Sequence, residues 1–145
     1  MIRSVMMVCE GNICRSPLAA ALLARAMPEL EVSSAGTHAL VGEPAHAAIA
    51  EIAQAHGIAL DTHVATQLDP ALTRNADLIL TMTRAQRDWV QAAWPYTRGK
   101  VFRLCDEQGA DVTDPYKRHR ALFDLAFAQI RQGISQWTRT LAVQR

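Results

Sequence analysis

The sequence predicts one doubly wound α/β domain, a parallel four-stranded sheet with helices on both faces. Three observations predict it. Short, nearly continuous apolar runs at Val5-Met6-Met7-Val8 and at residues 77–82 read as strands covered on both sides, the pattern of a parallel sheet. Stretches with helical spacing follow them, and strands alternating with helices build such a sheet. The last helical stretch is the clearest: Phe123, Phe127, Ile130, Ile134, Trp137 and Leu141 step by four and three along one face.

The first strand is expected over residues 4–8, and Pro17 suits a first helical position because its missing N–H is not needed there. That helix runs through Leu18, Ala21, Leu22 and Ala26 to Met27, where Pro28 ends it. Residues 31–35 read as a second strand closed by Gly36. Pro44 opens a second helix with Ile49, Ile52 and Ala53 as its stripe and Gly57 as its stop. The third strand covers residues 77–82, a helix follows over 84–93, and residues 100–104 make the fourth strand.

The chain has 145 residues, half of them apolar and a fifth charged. That is enough for a single domain to bury its own core. A net charge of +1 gives no general attraction to nucleic acid. No apolar stretch reaches the roughly 18 residues that would insert into a membrane. The N-terminus enters the first strand at once, which leaves no room for a signal peptide. Three cysteines, two of them in one loop, argue against a disulfide framework and for the cytoplasm. The histidines at 38, 46, 56, 63 and 119 lack metal-ligand spacing, so neither metal nor cofactor is expected.

The chemistry is concentrated after the first strand, in Cys9-Glu10-Gly11-Asn12-Ile13-Cys14-Arg15-Ser16-Pro17. A cysteine, five residues and then Arg-Ser can hold a phosphate dianion against a thiolate. The loop lies at a strand's carboxyl end, with helix N–H groups directed into it. Those groups and the guanidinium favour a thiolate ready to attack. They also hold the phosphoryl oxygens as charge moves in the transition state. Arg15 grips two oxygens with its planar fork, and Ser16 can donate its hydroxyl hydrogen to the sulfur. Gly11 lets the backbone turn tightly and Asn12 tolerates a left-handed conformation. A nucleotide-binding glycine loop is excluded because no Gly-Lys-Ser/Thr follows.

Expelling a phenolate from an aryl phosphate needs an acid. Asp114-Pro115-Tyr116 supplies one in a loop after the fourth strand, with Pro115 restricting Asp114 to an extended conformation. The same carboxylate can then act as base on the water that hydrolyses the phospho-cysteine.

With these motifs the sequence resembles the low-molecular-weight protein tyrosine phosphatases over nearly its full length. The matching segments include Val8 through Pro17, Ser33-Ser34-Ala35-Gly36, His63-Val64-Ala65-Thr66-Gln67, residues 77–82 and Asp114-Pro115-Tyr116. The stretches 38–44 and 98–101 look most like the bacterial branch found with exopolysaccharide and capsule synthesis. The resemblance implies Cys9 as nucleophile, Arg15 as phosphate clamp and Asp114 as general acid and base. It implies loop support from Asn12, Ser16, Ser34 and His63, and crevice walls at His38, Leu40 and Tyr116. It implies a reversible redox lock between Cys9 and Cys14. The implied partner is a phosphotyrosine protein, the cytoplasmic tail of a membrane tyrosine autokinase.

Two positions depart from the family pattern. Glu10 stands where relatives carry an apolar residue, and it is expected at the rim because such loops turn N–H groups inward and side chains outward. Thr83 stands where some relatives carry an acid. The basic cluster Lys117-Arg118-His119-Arg120 is either solvated charge or an attraction for an acidic tail. Two other functions compete. Arsenate reductase shares fold and loop but needs further cysteines, and residues 81–89 hold none. An inactive phosphotyrosine-binding module would have no use for Cys9, Arg15 and Asp114 together.

Overall fold

The computed structural model describes residues 1–144. Strands β1 (Ser4–Cys9), β2 (Glu31–Gly36), β3 (Leu78–Thr81) and β4 (Val101–Arg103) form one parallel sheet in the order β2-β1-β3-β4. Helices α1 (Arg15–Ala26), α2 (Ala47–Ala55), α3 (Pro70–Asn75), α4 (Arg84–Ala93) and α5 (Arg120–Ala142) complete the α/β fold.

The alternation of side chains along β1 sorts the core into two layers. Val5, Met7 and Cys9 pack with Leu18, Leu23, Ile49 and the α5 residues Phe123, Phe127 and Ile130. Met6 and Val8 face the other way, onto Ile79, Val90 and Val101. The connection from β1 leads to β2 on one side, and β3 pairs with it on the other. Strand order therefore reverses at the carboxyl end of β1, where open α/β sheets leave a crevice. Cys9 is the last residue of that strand.

Several boundaries differ from the sequence expectation, each for a local reason. Helix α1 starts at Arg15, so Pro17 is its third residue instead of its first. Proline is tolerated there because first-turn N–H groups have no partner within the helix. Helix α2 begins at Ala47, not at Pro44, and His46 caps it by accepting the Ala48 N–H on Nδ1 at 3.2 Å. Helix α3 was not expected: six residues are too few to show periodicity, although Asp69 caps it through the Leu72 N–H at 2.8 Å with Pro70 next in line. A 3₁₀ turn at Pro95–Thr97 also lies outside the expected elements. Strands β3 and β4 are shorter at both ends than the apolar runs suggested.

Thr83 caps α4 through a reciprocal pair with Gln86. The Thr83 hydroxyl thus serves as the helix cap at this position. Among the described residues no helix is long and apolar enough to cross a membrane.

Gly36 marks the tightest approach between sheet and loop. A Cβ there would collide with the Glu10 carbonyl oxygen and lie 3.1 Å from the Asn12 Cβ. Gly36→Ala is expected to lower stability by about 1–3 kcal/mol, the cost of overpacking, read from urea unfolding midpoints. An unchanged midpoint would mean the loop yields without cost.

Candidate active site

The loop between β1 and α1 is shaped by where its carbonyls go. The Cys9, Glu10 and Gly11 carbonyls accept the N–H groups of Thr37, His38 and Leu40 at 2.9, 2.9 and 3.0 Å. The Asn12 carbonyl takes the His63 ring at 2.7 Å, and that of Ile13 takes the His46 N–H at 2.8 Å. All of these partners lie outside the loop. Every peptide bond is trans, and a trans peptide sets its N–H opposite its carbonyl. Five carbonyls held outward therefore turn the N–H groups of residues 10–14 inward, a concavity suited to an anion. Helix α1 adds its own N-terminus, which no side chain caps.

Asn12 fixes this shape. It is fully buried, with φ of 59°, a left-handed conformation that asparagine adopts more readily than most residues. Its N–H donates to Cys9 Sγ at 3.2 Å. Its amide nitrogen Nδ2 donates to Ser16 Oγ at 2.7 Å and to Ser34 Oγ at 3.0 Å. Its Oδ1 accepts the Thr66 N–H at 2.8 Å. A backbone N–H can only donate, so the amide orientation is fixed by the network. By the same reasoning His63 carries its proton on Nε2, facing a carbonyl.

Ser16 Oγ lies 2.8 Å from Cys9 Sγ. Because Asn12 already supplies a hydrogen to that oxygen, the Ser16 hydroxyl hydrogen is free to point at the sulfur. Cys9 is 2% exposed and receives two hydrogen bonds.

Arg15 is 4% exposed, and Nη1 donates to the Val112 carbonyl at 3.0 Å while Nη2 lies 3.6 Å from Asp114 Oδ2. Asp114, at half exposure, accepts the Tyr116 N–H on Oδ1 at 3.1 Å, a turn closed over Pro115. The segment before it is tied down twice: the Val112 N–H donates to the Met82 carbonyl at 2.8 Å, and the Thr113 N–H to Gln129 Oε1 at 2.8 Å. Sheet and α5 together bring the acid to the loop.

The crevice is lined by the loop residues Cys9 through Arg15 with His38, Leu40, Asp114 and Tyr116. The structure thus brings together all the sequence-predicted residues, with Ser16, Ser34 and His63 behind the loop. Glu10 is exposed, at the rim. Sequence reasoning missed Val112, whose carbonyl positions Arg15, and Gln67. Gln67 pins the 37–39 segment by accepting the Ala39 N–H at 2.9 Å and donating to the Thr37 carbonyl at 2.8 Å. A backbone carbonyl leaves no sequence signal; a lone glutamine leaves a weak one.

Cys14 is buried in the same crevice wall, and burial, with the neighbouring Cys9 charge second, pushes its thiol up to about 12. Cys105 is raised chiefly by burial and donates its S–H to the Gln129 carbonyl at 3.3 Å, a core thiol. Among the described residues no cluster of His, Cys, Asp or Glu could hold a metal ion.

A four-stranded parallel α/β sheet with this cysteine–arginine loop defines a small phosphatase. The chain belongs to the low molecular weight phosphotyrosine protein phosphatase family, whose model matches residues 4–145. It is 44% identical over 137 residues to the probable low molecular weight protein-tyrosine-phosphatase EpsP of Ralstonia solanacearum, covering 94% of each chain. Its fold superposes with a TM-score of 0.94 on the tyrosine phosphatase Wzb from Escherichia coli K30 in complex with sulphate, at 32% identity, covering 97% of this chain and 99% of Wzb. The YwlE arginine phosphatase from Geobacillus stearothermophilus shares the fold at a TM-score of 0.91 and 30% identity, covering 97% and 94%.

A thiol whose folded value lies above its ordinary 9.0 binds its proton more tightly in the native state, so its contribution is intact below that value. Stability is expected to fall as pH rises from about 9 toward 12, and Cys14→Ala should flatten that fall in alkaline denaturation curves. Parallel curves for the two proteins would show that the thiol ionises without penalty.

Proposed function

We propose that this protein hydrolyses phosphotyrosine through a phospho-cysteine intermediate, with Cys9 as nucleophile, Arg15 as phosphate clamp and Asp114 as general acid and base. The observation that carries the reading is the inward-turned loop holding Cys9 and Arg15 in one crevice with Asp114. The sulphate complex of Wzb supports it, since an oxyanion of the same shape accompanies that relative.

The phosphoryl group enters the loop, and its oxygens meet the N–H groups and the Arg15 fork, which leaves Val112 to reach them. Cys9 Sγ attacks phosphorus as the bond to the tyrosine oxygen breaks, and the protonated Asp114 gives that oxygen its proton. Asp114, now a carboxylate, takes a proton from water, which attacks phosphorus and releases Cys9 as a thiolate held by Ser16 and the Asn12 N–H. Tyr116 and Leu40 form apolar walls for the aryl ring, and His38 completes the rim. An aromatic ring packs against an aromatic wall with ring–ring attraction that a guanidino substrate would engage differently.

The physiological reading extends the resemblance to the bacterial exopolysaccharide-associated branch. The substrate is the phosphotyrosine tail of a membrane tyrosine autokinase of exopolysaccharide synthesis, and the enzyme works in the cytoplasm as a single domain without metal or cofactor. Arsenate reduction is disfavoured because the remaining thiol, Cys105, is buried in the core.

Turnover of p-nitrophenyl phosphate and a phosphotyrosine peptide is expected with excess chelator and reductant. Cys9→Ser should abolish it, and Asp114→Asn should lower kcat by about 10²–10⁴, the usual worth of a general acid. Tight peptide binding without turnover would point to a binding module instead. Faster turnover of a phosphoarginine peptide would move the substrate class.

The neighbouring thiols also support a redox lock. Peroxide converts the Cys9 thiolate to a sulfenic acid, which removes a charge that holds the Cys14 proton. Cys14 sulfur then attacks the Cys9 sulfur, and the oxygen leaves with the thiol proton as water, giving a disulfide. Peroxide should therefore inactivate the enzyme reversibly, with thiol restoring activity in wild type and failing to do so in Cys14→Ser. Equal recovery of the two would remove the lock.

A further inference from the structure

Past Asp114 the crevice opens into a second depression that runs over the first turns of α4 to Trp89. Glu10, Arg15, His38 and Asp114 line both spaces, so the two are continuous. Trp89 is held by ring neighbours, His38 at 5.4 Å and Trp94 edge-on at 5.8 Å, yet remains 37% exposed.

The charges of the depression are unbalanced in a specific way. Asp114 lies against Arg15, and Asp111 accepts from Arg103 Nη1 at 3.0 Å and from the Arg84 N–H at 2.9 Å. Glu10 is exposed, and among the described residues its carboxylate has no cationic or hydrogen-bonding partner. The cation in the lining, Arg15, is buried and turned to Asp114 and Val112. An unpaired carboxylate and a fixed indole lining the same depression suit a long cationic side chain, with its stem on the aromatic surface and its charged end at Glu10. An acidic side chain in the same place would meet repulsion.

We propose that this depression is the subsite for a lysine or arginine next to the phosphotyrosine of the substrate protein, an inference that rests on the phosphatase reading above. Glu10 and Trp89 then act as specificity residues, selecting which phosphotyrosine is presented to Cys9.

The test compares phosphotyrosine peptides that differ at the flanking position, carrying Arg, Ala or Glu on each side in turn, at low ionic strength. Wild type should favour the Arg peptide over the Ala peptide in kcat/KM by roughly three- to tenfold on at least one side, the range of an exposed ion pair with a cation–π contact. Glu10→Gln and Trp89→Leu should each shrink that ratio, and Glu10→Lys should invert it in favour of the Glu peptide. Each figure is a ratio within one enzyme, so changes in intrinsic rate cancel. Equal rates on all peptides, or a preference that Glu10→Lys does not move, would overturn the subsite and leave the phosphatase reading standing. No turnover of any phosphotyrosine peptide would overturn both.

Discussion

The site depends on one buried residue. Asn12 holds a left-handed turn, and the hydrogen bonds of its backbone and amide reach Cys9, Ser16, Ser34, His63 and Thr66. A buried amide with all its groups paired is rigid, whereas one with a group unpaired would cost a few kcal/mol. The loop is therefore preorganised: its carbonyls are already committed outward, so its N–H groups would need no rearrangement to meet an oxyanion. Preorganised dipoles aimed at developing charge are the strongest means a site has of lowering a barrier.

The same economy appears in how the acid is placed. Asp114 sits on a loop, where a carboxylate has freedom to change partners, but the residues before it are tied to β3's end and to α5. Arg15 lies between the Val112 carbonyl and Asp114, so its charge is satisfied within the protein. A buried guanidinium without a partner would be costly. In the mechanism proposed above, a bound dianion would replace these acceptors by stronger ones.

Charge at the rim is divided. Glu10 lines both the crevice and the depression that reaches Trp89, while Lys117 lies over the Tyr116 ring at 5.5 Å. Farther along, Arg120 pairs with Glu51 and Asp124, so that member of the basic run is neutralised within the protein. The near-zero net charge thus averages over local charges of both signs, and local field, not total charge, governs what approaches the crevice.

The candidate site was legible in the sequence because it is local. Cys9, Arg15 and Ser16 lie within one strand–loop–helix turn, and their spacing is short enough to gather them in one loop. The long apolar face of α5 and the buried run of β3 were equally readable, since periodicity needs only neighbours. Helix α3 was too short to show a period, and the start of α2 was misplaced because His46, not Pro44, supplies the cap. What only the tertiary structure decided is the set of partners. Thr37, His38, Leu40, His46 and His63 hold the loop carbonyls, Val112 holds Arg15, and Trp89 shares a depression with Glu10. These are contacts between distant segments, made largely through backbone groups that every residue carries. The sequence by itself gathered the candidate reactive groups into one loop; the packing of the sheet and its crossovers determined how they are held.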